Sequence, residues 1–82
     1  MRRYTDERER EIKEVVCNQC GRSLQVEHGI VKEGCIHVDT VLGYFSRRDG
    51  IRHRFDLCEE CYEKMIRGFQ IPVTEEEETE LL

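Results

Sequence analysis

The sequence contains no tryptophan, a single proline, and only three phenylalanines and three tyrosines in 82 residues. With 38% hydrophobic residues, the chain allows one domain whose apolar core is thin for its length. No stretch approaches the ~20 apolar residues of a membrane span, and no secretory leader is recognisable. The arginine-rich start carries as many acids as bases, unlike a transit peptide. The expectation is a cytoplasmic protein with no membrane partner. No Walker pattern, no Ser/His/Asp set and no HNH-type array is present. The expectation is therefore that the chain is not an enzyme and has no small-molecule substrate.

A surplus of positive charge is also missing. The formal net charge is −5, residues 1–14 and 15–72 are each balanced, and the acidic excess lies in Glu75, Glu76, Glu77, Glu78 and Glu80. Sequence-independent DNA binding rests on excess Lys and Arg, so the overall charge gives it no support. The composition divides the chain into a flexible charged arm over 1–9, a domain over 10–73 and an acidic disordered tail over 74–82.

Five cysteines are present, and four of them form two CxxC pairs, Cys17/Cys20 and Cys58/Cys61. A disulfide within a CxxC closes too small a loop to tie distant segments together. A metal joins both pairs and closes the long loop between them. Two such pairs place four thiolates around one tetrahedral ion, the geometry of a closed structural zinc site. The expected cofactor is one Zn2+ per chain, contributing on the order of 10 kcal/mol to folding.

The first pair reads as a metal knuckle, with Gly21 suited to positive φ. Ahead of it, residues 10–16 fit a helix capped by Asp6 and Glu9 or a strand favoured by Ile12, Val15 and Val16, and the strand is the reading adopted. Short strands are expected over 23–27 and 30–32 around His28-Gly29. From Cys35 to Phe45, Ile36, Val38, Leu42 and Tyr44 share one parity, as a strand with one buried face. Residues 46–50 form a hairpin turn, and 51–57 the return strand, with Ile51, His53, Phe55 and Leu57 on one side and Arg52, Arg54 and Asp56 on the other.

The second pair falls at the start of a helix expected over 57–67. Asp56 is the expected N-cap, with Glu59 in the capping-box position. Leu57, Cys61, Met65 and Phe69, widened by Ile66, form the expected core-facing stripe. Gly68 ends the helix and Pro72 prevents its resumption, after which Ile71-Pro72-Val73 is expected to dock as a short extended piece.

Knuckle, β-hairpin, then a helix with the second pair in its first turn: this order resembles the treble-clef class of zinc fingers. The resemblance runs from Cys17 to about Phe69, on CNQCG and DLCEECYEKMI. It implies an α+β fold, a small zinc-stabilised treble-clef-like domain, with Cys17 and Cys20 from the knuckle and Cys58 and Cys61 from the helix as ligands. An added hairpin is the expected content of the extra segment over 25–34. The Phe55–Tyr62 stretch, with Phe69 and Ile71-Pro72-Val73 behind it, also resembles small bacterial CxxC/CxxC proteins, a likeness that implies no function. A rubredoxin-like iron site needs two similar knuckles, whereas Cys61 is followed by Tyr62 and a helical pattern instead of glycine.

Cys35 reads as a buried or half-buried small residue, against a reactive thiol or fifth ligand. Its strand neighbours His37 and Asp39 invite a second metal site, but three alternating positions on one strand span too far to converge easily on one ion. His53 reads as a hydrogen-bonded core residue, and His28 as a turn residue. Arg47, Arg48, Arg52 and Arg54 form either a cationic partner-binding patch or a solvated strand face. The leading functional expectation is a non-enzymatic zinc-binding adaptor or regulator with a protein partner. The alternatives are a nucleic-acid-binding finger using the hairpin arginines and a thiol or zinc redox sensor using Cys35.

Overall fold

A computed structural model describes residues 1–5 and 11–78. In chain order the elements are β1 (Arg2–Tyr4), β2 (Ile12–Val16), β3 (Ser23–Leu24), β4 (Val26–Glu27), β5 (Ile30–Val31), β6 (Cys35–Val41), β7 (Arg52–Cys58) and α1 (Glu59–Arg67). The architecture is α+β. β1, β2 and β3 form one antiparallel sheet, while β4–β5 and β6–β7 are separate hairpins.

The β-branched run at Ile12–Val16 takes the strand alternative, with Val15 fully buried. Residues 2–4 depart from the flexible arm expected over 1–9. They pair with β2, Arg2 opposite Val15 and Tyr4 opposite Ile12, because β2 exposes an edge whose backbone groups need partners. Residues 6–10, including the Asp6/Glu9 capping alternative, lie outside the described residues, as do residues 79–82 of the tail. The extra segment folds as the added hairpin β4–β5, turning through His28 (φ 50°) and Gly29 (φ 77°).

β6 and β7 pair in continuous register from Cys35↔Cys58 to Val41↔Arg52. Gly50 takes φ 85° where the chain re-enters the hairpin. The parity expected to continue from β6 stops at Val41, and Tyr44 and Phe45, which touch edge to face in the turn, are 81% and 97% exposed. His53, opposite Thr40, is exposed and not part of the core.

The buried apolar set is small: Val15, Cys17, Leu24, Leu57 and Cys58, with Ile12, Val26, Val31, Ile36, Phe55 and Tyr62 among the half-buried residues packed around it. Two of those five are cysteines of the CxxC pairs, so the site and the core are one structure.

α1 begins two residues later than expected. Cys58, still extended at φ −71° and ψ 161°, is the N-cap and makes no side-chain capping bond. Asp56 is not the cap; it is a buried residue of β7. The chain therefore leaves the β6–β7 ladder directly into the helix, with Glu59 and Glu60 supplying the acidic first turn that the helix dipole favours. The inward side of α1 is Cys61, Tyr62 and Ile66, all half-buried. Met65 and Phe69, expected in the core stripe, stay at the surface, and Ile71-Pro72-Val73 does not dock, with Ile71 80% exposed.

Candidate metal centre

The knuckle is built from backbone. Gly21 N–H donates to Cys17 O at 2.9 Å, and Cys17 N–H donates to Arg22 O at 2.9 Å. Gly21 sits at φ 78°, where an L side chain is strained. Asn18 clamps this turn to β7. Its N–H donates to Asp56 O at 2.8 Å, and its Oδ1 accepts from Asp56 N–H at 3.0 Å. That two-way bond brings the knuckle over the end of β7, where Cys58 closes the strand and Cys61 lies in the first turn of α1.

The four sulfurs of Cys17, Cys20, Cys58 and Cys61 consequently lie within 4.8 Å of one another. All four cysteines are free, and Cys20 Sγ is 3.9 Å from Cys58 Sγ. A disulfide needs about 2.0 Å. A tetrahedron with Zn–S of about 2.3 Å has edges of about 3.8 Å. Donor type, number and spacing thus fit a metal ion, and zinc suits an all-thiolate set of this shape.

The electrostatics of the site favour thiolate at Cys17 and Cys58 and a retained proton at Cys61. Burial raises the Cys17 thiol, but backbone N–H groups of Cys20, Cys58 and Gln19 outweigh it and bring it down to about 6. Cys58 is lowered, chiefly by the backbone N–H of Cys61. Cys61 is pushed up to about 12, mainly by its hydrogen bond to Cys58. A proton retained among crowded sulfurs is what a divalent ion displaces.

A second polar centre lies beneath the knuckle. Asp56, 1% exposed, accepts from Arg2 Nε at 2.7 Å and lies 3.0 Å from His37 Nδ1, both at Oδ1, with the Met1 amino group 3.1 Å from Oδ2. The Met1 amino group also donates to Asn18 Oδ1 and, at 2.7 Å, to Val16 O. Cys35 Sγ is 3.8 Å from Asp56 Oδ1 and 3.9 Å from Arg2 Nη2. Burial first, and the Asp56 charge next, push its thiol up. Cys35, His37 and Asp39 do not converge on one point, since His37 turns to Asp56 while Asp39 takes a bidentate bond from Arg52 at 2.7 Å on each oxygen. Among the described residues, the four paired cysteines are the group at metal-ligand spacing.

The four hairpin arginines do not share one environment. Arg52 is held by Asp39, and Arg54 lies opposite Asp39 in the ladder. These two line a cleft with His37 and Asp56, whereas Arg47 and Arg48 stand in the turn between the strands. The Asp56 centre had no local sequence signal, because its partners come from the first two residues, the knuckle and β6. No family model, curated protein or solved structure matches this chain.

Proposed function

We propose that this chain is a non-enzymatic, treble-clef-type zinc adaptor of the cytoplasm, in which Cys17, Cys20, Cys58 and Cys61 hold one structural Zn2+ and α1 presents a protein-binding face. The observation that carries the reading is the four-sulfur cluster at the junction of knuckle, β7 and α1. Four thiolates fill a tetrahedral shell and leave no position for a substrate or an activated water.

Beside that cluster, Phe55, Leu57, Cys61 and Met65 line a groove whose one charged wall residue is Lys64. Met65 and Phe69 are 44% and 47% exposed. An apolar wall with a single ammonium fits a protein segment that offers an apolar side chain flanked by a carboxylate. The nucleic-acid alternative is weakened by the Asp39 clamp on Arg52. The redox alternative is weakened by the raised Cys35 thiol, since the thiolate is the reactive form.

A photo-crosslinker placed at Met65 of the zinc-loaded protein tests the reading. The expected result is a discrete protein adduct that disappears when zinc is removed and when Lys64 is changed to Glu. Adducts insensitive to both changes, or adducts formed equally from Arg47, place the binding surface elsewhere.

A further inference from the structure

The opposite face of the β6–β7 hairpin from Phe55 and Leu57 holds a cleft of about 440 Å3. Its walls come from three strands. Arg54 and Arg52 stand on β7, His37 and Asp39 on β6, and Arg2 and Tyr4 on β1.

The charges in this cleft do not cancel. Asp39 neutralises Arg52 through two 2.7 Å bonds. Asp56, a 1% exposed lining residue, faces two cations, Arg2 and the Met1 amino group. Arg54, a lining residue opposite Asp39 in the ladder, has no ion pair among the described residues, so the cations of the lining outnumber its two carboxylates. His37 gives Nδ1 to Asp56, so Nε2 is its remaining polar atom. Arg2 is fixed through Nε, and one of its Nη nitrogens lies 3.9 Å from Cys35 Sγ. Carboxylates that immobilise neighbouring cations reduce the ordering entropy lost when those cations meet an anion.

We propose that this cleft binds a small phosphomonoester, with Arg54 as the principal phosphate ligand, Arg2 and His37 Nε2 as flanking polar contacts, and Tyr4 beside the organic body. Arg54, His37 and Arg2 reach the cleft from three different strands, β7, β6 and β1, and donors on several sides suit a phosphate, which presents oxygens in more than one direction. Guanidinium forks match phosphate oxygens. The cleft volume is within the range of small-molecule sites and exceeds what the bare ion needs.

The test is a titration of the zinc-loaded full chain with phenyl phosphate, inorganic phosphate and acetate, followed by NMR at the Arg54 Nε–H and the His37 ring. Phenyl phosphate is expected to shift both signals to saturation below ~10 mM, a modest affinity for an open site, with inorganic phosphate weaker and acetate weaker again. Arg54→Gln should weaken phenyl phosphate at least ~10-fold, Arg54→Lys by less, and Arg47→Gln not at all, each protein keeping its zinc. No saturation by phenyl phosphate, equal saturation by acetate, or the same loss in Arg47→Gln as in Arg54→Gln would overturn the assignment.

Discussion

Arg2 Nε meets Asp56 Oδ1 at 2.7 Å across 54 residues of chain. The pair ties β1, at the start of the domain, to β7, the strand that carries Cys58. Asp56 also exchanges backbone and side-chain hydrogen bonds with Asn18 of the knuckle. Asp56 therefore ties the knuckle to β7 through its backbone and ties β1 and β6 to β7 through its buried carboxylate.

Asp56→Asn should destabilise the zinc-loaded protein by about 3 kcal/mol, because removing one member of a buried pair strands the others. Asp39→Asn, which breaks a more exposed pair with Arg52, should cost far less, because solvent screens an exposed pair. Denaturant midpoints of the two variants at equal zinc content compare them, and equal losses would deny Asp56 its structural role.

The same pair gives a pH dependence with a defined sign. Burial raises the Asp56 carboxyl, but hydrogen bonds from Arg2, the Met1 amino group and His37 outweigh it and hold it below its usual value. A folded value below the unfolded one means the contribution is complete above the ordinary carboxylate value of about 4. It fades as pH falls through the folded value. The stability gap between wild type and Asp56→Asn should thus be constant near neutrality and close only in stronger acid. A gap that closes between pH 5 and 7 would point to another group.

Elemental analysis of protein made without added metal should give one zinc per chain. Chelation should unfold the domain, since two of the five buried apolar positions among the described residues are Cys17 and Cys58 of the four-sulfur cluster and bound zinc contributes on the order of 10 kcal/mol. Cys58→Ser or Cys61→Ser should do the same. Iron in the purified protein, or a folded metal-free form with two disulfides, would overturn the zinc assignment.

Cys35→Ser should leave zinc content unchanged. In the zinc-loaded wild type, Cys35 should alkylate more slowly at pH 7 than a cysteine in a short peptide, because burial pushes its thiol up. Mass mapping after a timed iodoacetamide pulse reads this directly. Fast labelling at Cys35 would revive the redox reading.

Deleting residues 74–82 removes all five glutamates of the acidic excess. Phenyl phosphate binding at the Arg54 cleft should tighten slightly at low salt and converge with the full chain as salt rises. Exposed charge pairs contribute only up to about 1 kcal/mol each and are screened. A difference that persists at high salt would show a contact other than charge.

The four-cysteine cluster was legible in the chain because its signals are local. Each CxxC fixes two sulfurs within one turn, Gly21 supplies the positive φ of the knuckle, and the β-branched Ile12–Val16 run and the Cys35–Cys58 hairpin follow a period of two. Short-range sterics and spacing dictate those features whatever the rest of the chain does. What they leave open is which face of each element is covered. The stripe of Cys61, Met65 and Phe69 reads as core by spacing, but α1 ends at Arg67, before Phe69, and the small core is covered by Cys61, Tyr62 and Ile66, which leaves Met65 and Phe69 at the surface.

Asp56 shows the limit most clearly. Followed by Leu57, Cys58 and Glu59, it has the local form of a helix cap, and sequence alone supports that role. Tertiary structure decided otherwise, because Arg2 and His37 reach its carboxylate from β1 and β6 while Asn18 of the knuckle holds its backbone, and a buried carboxylate is stable only where charged and polar partners gather. The sequence by itself determined the two CxxC pairs and their local turns; long-range contacts, which no window of the chain contains, decided where the pairs meet, through Asn18 on the backbone of Asp56, and which partners surround the Asp56 carboxylate.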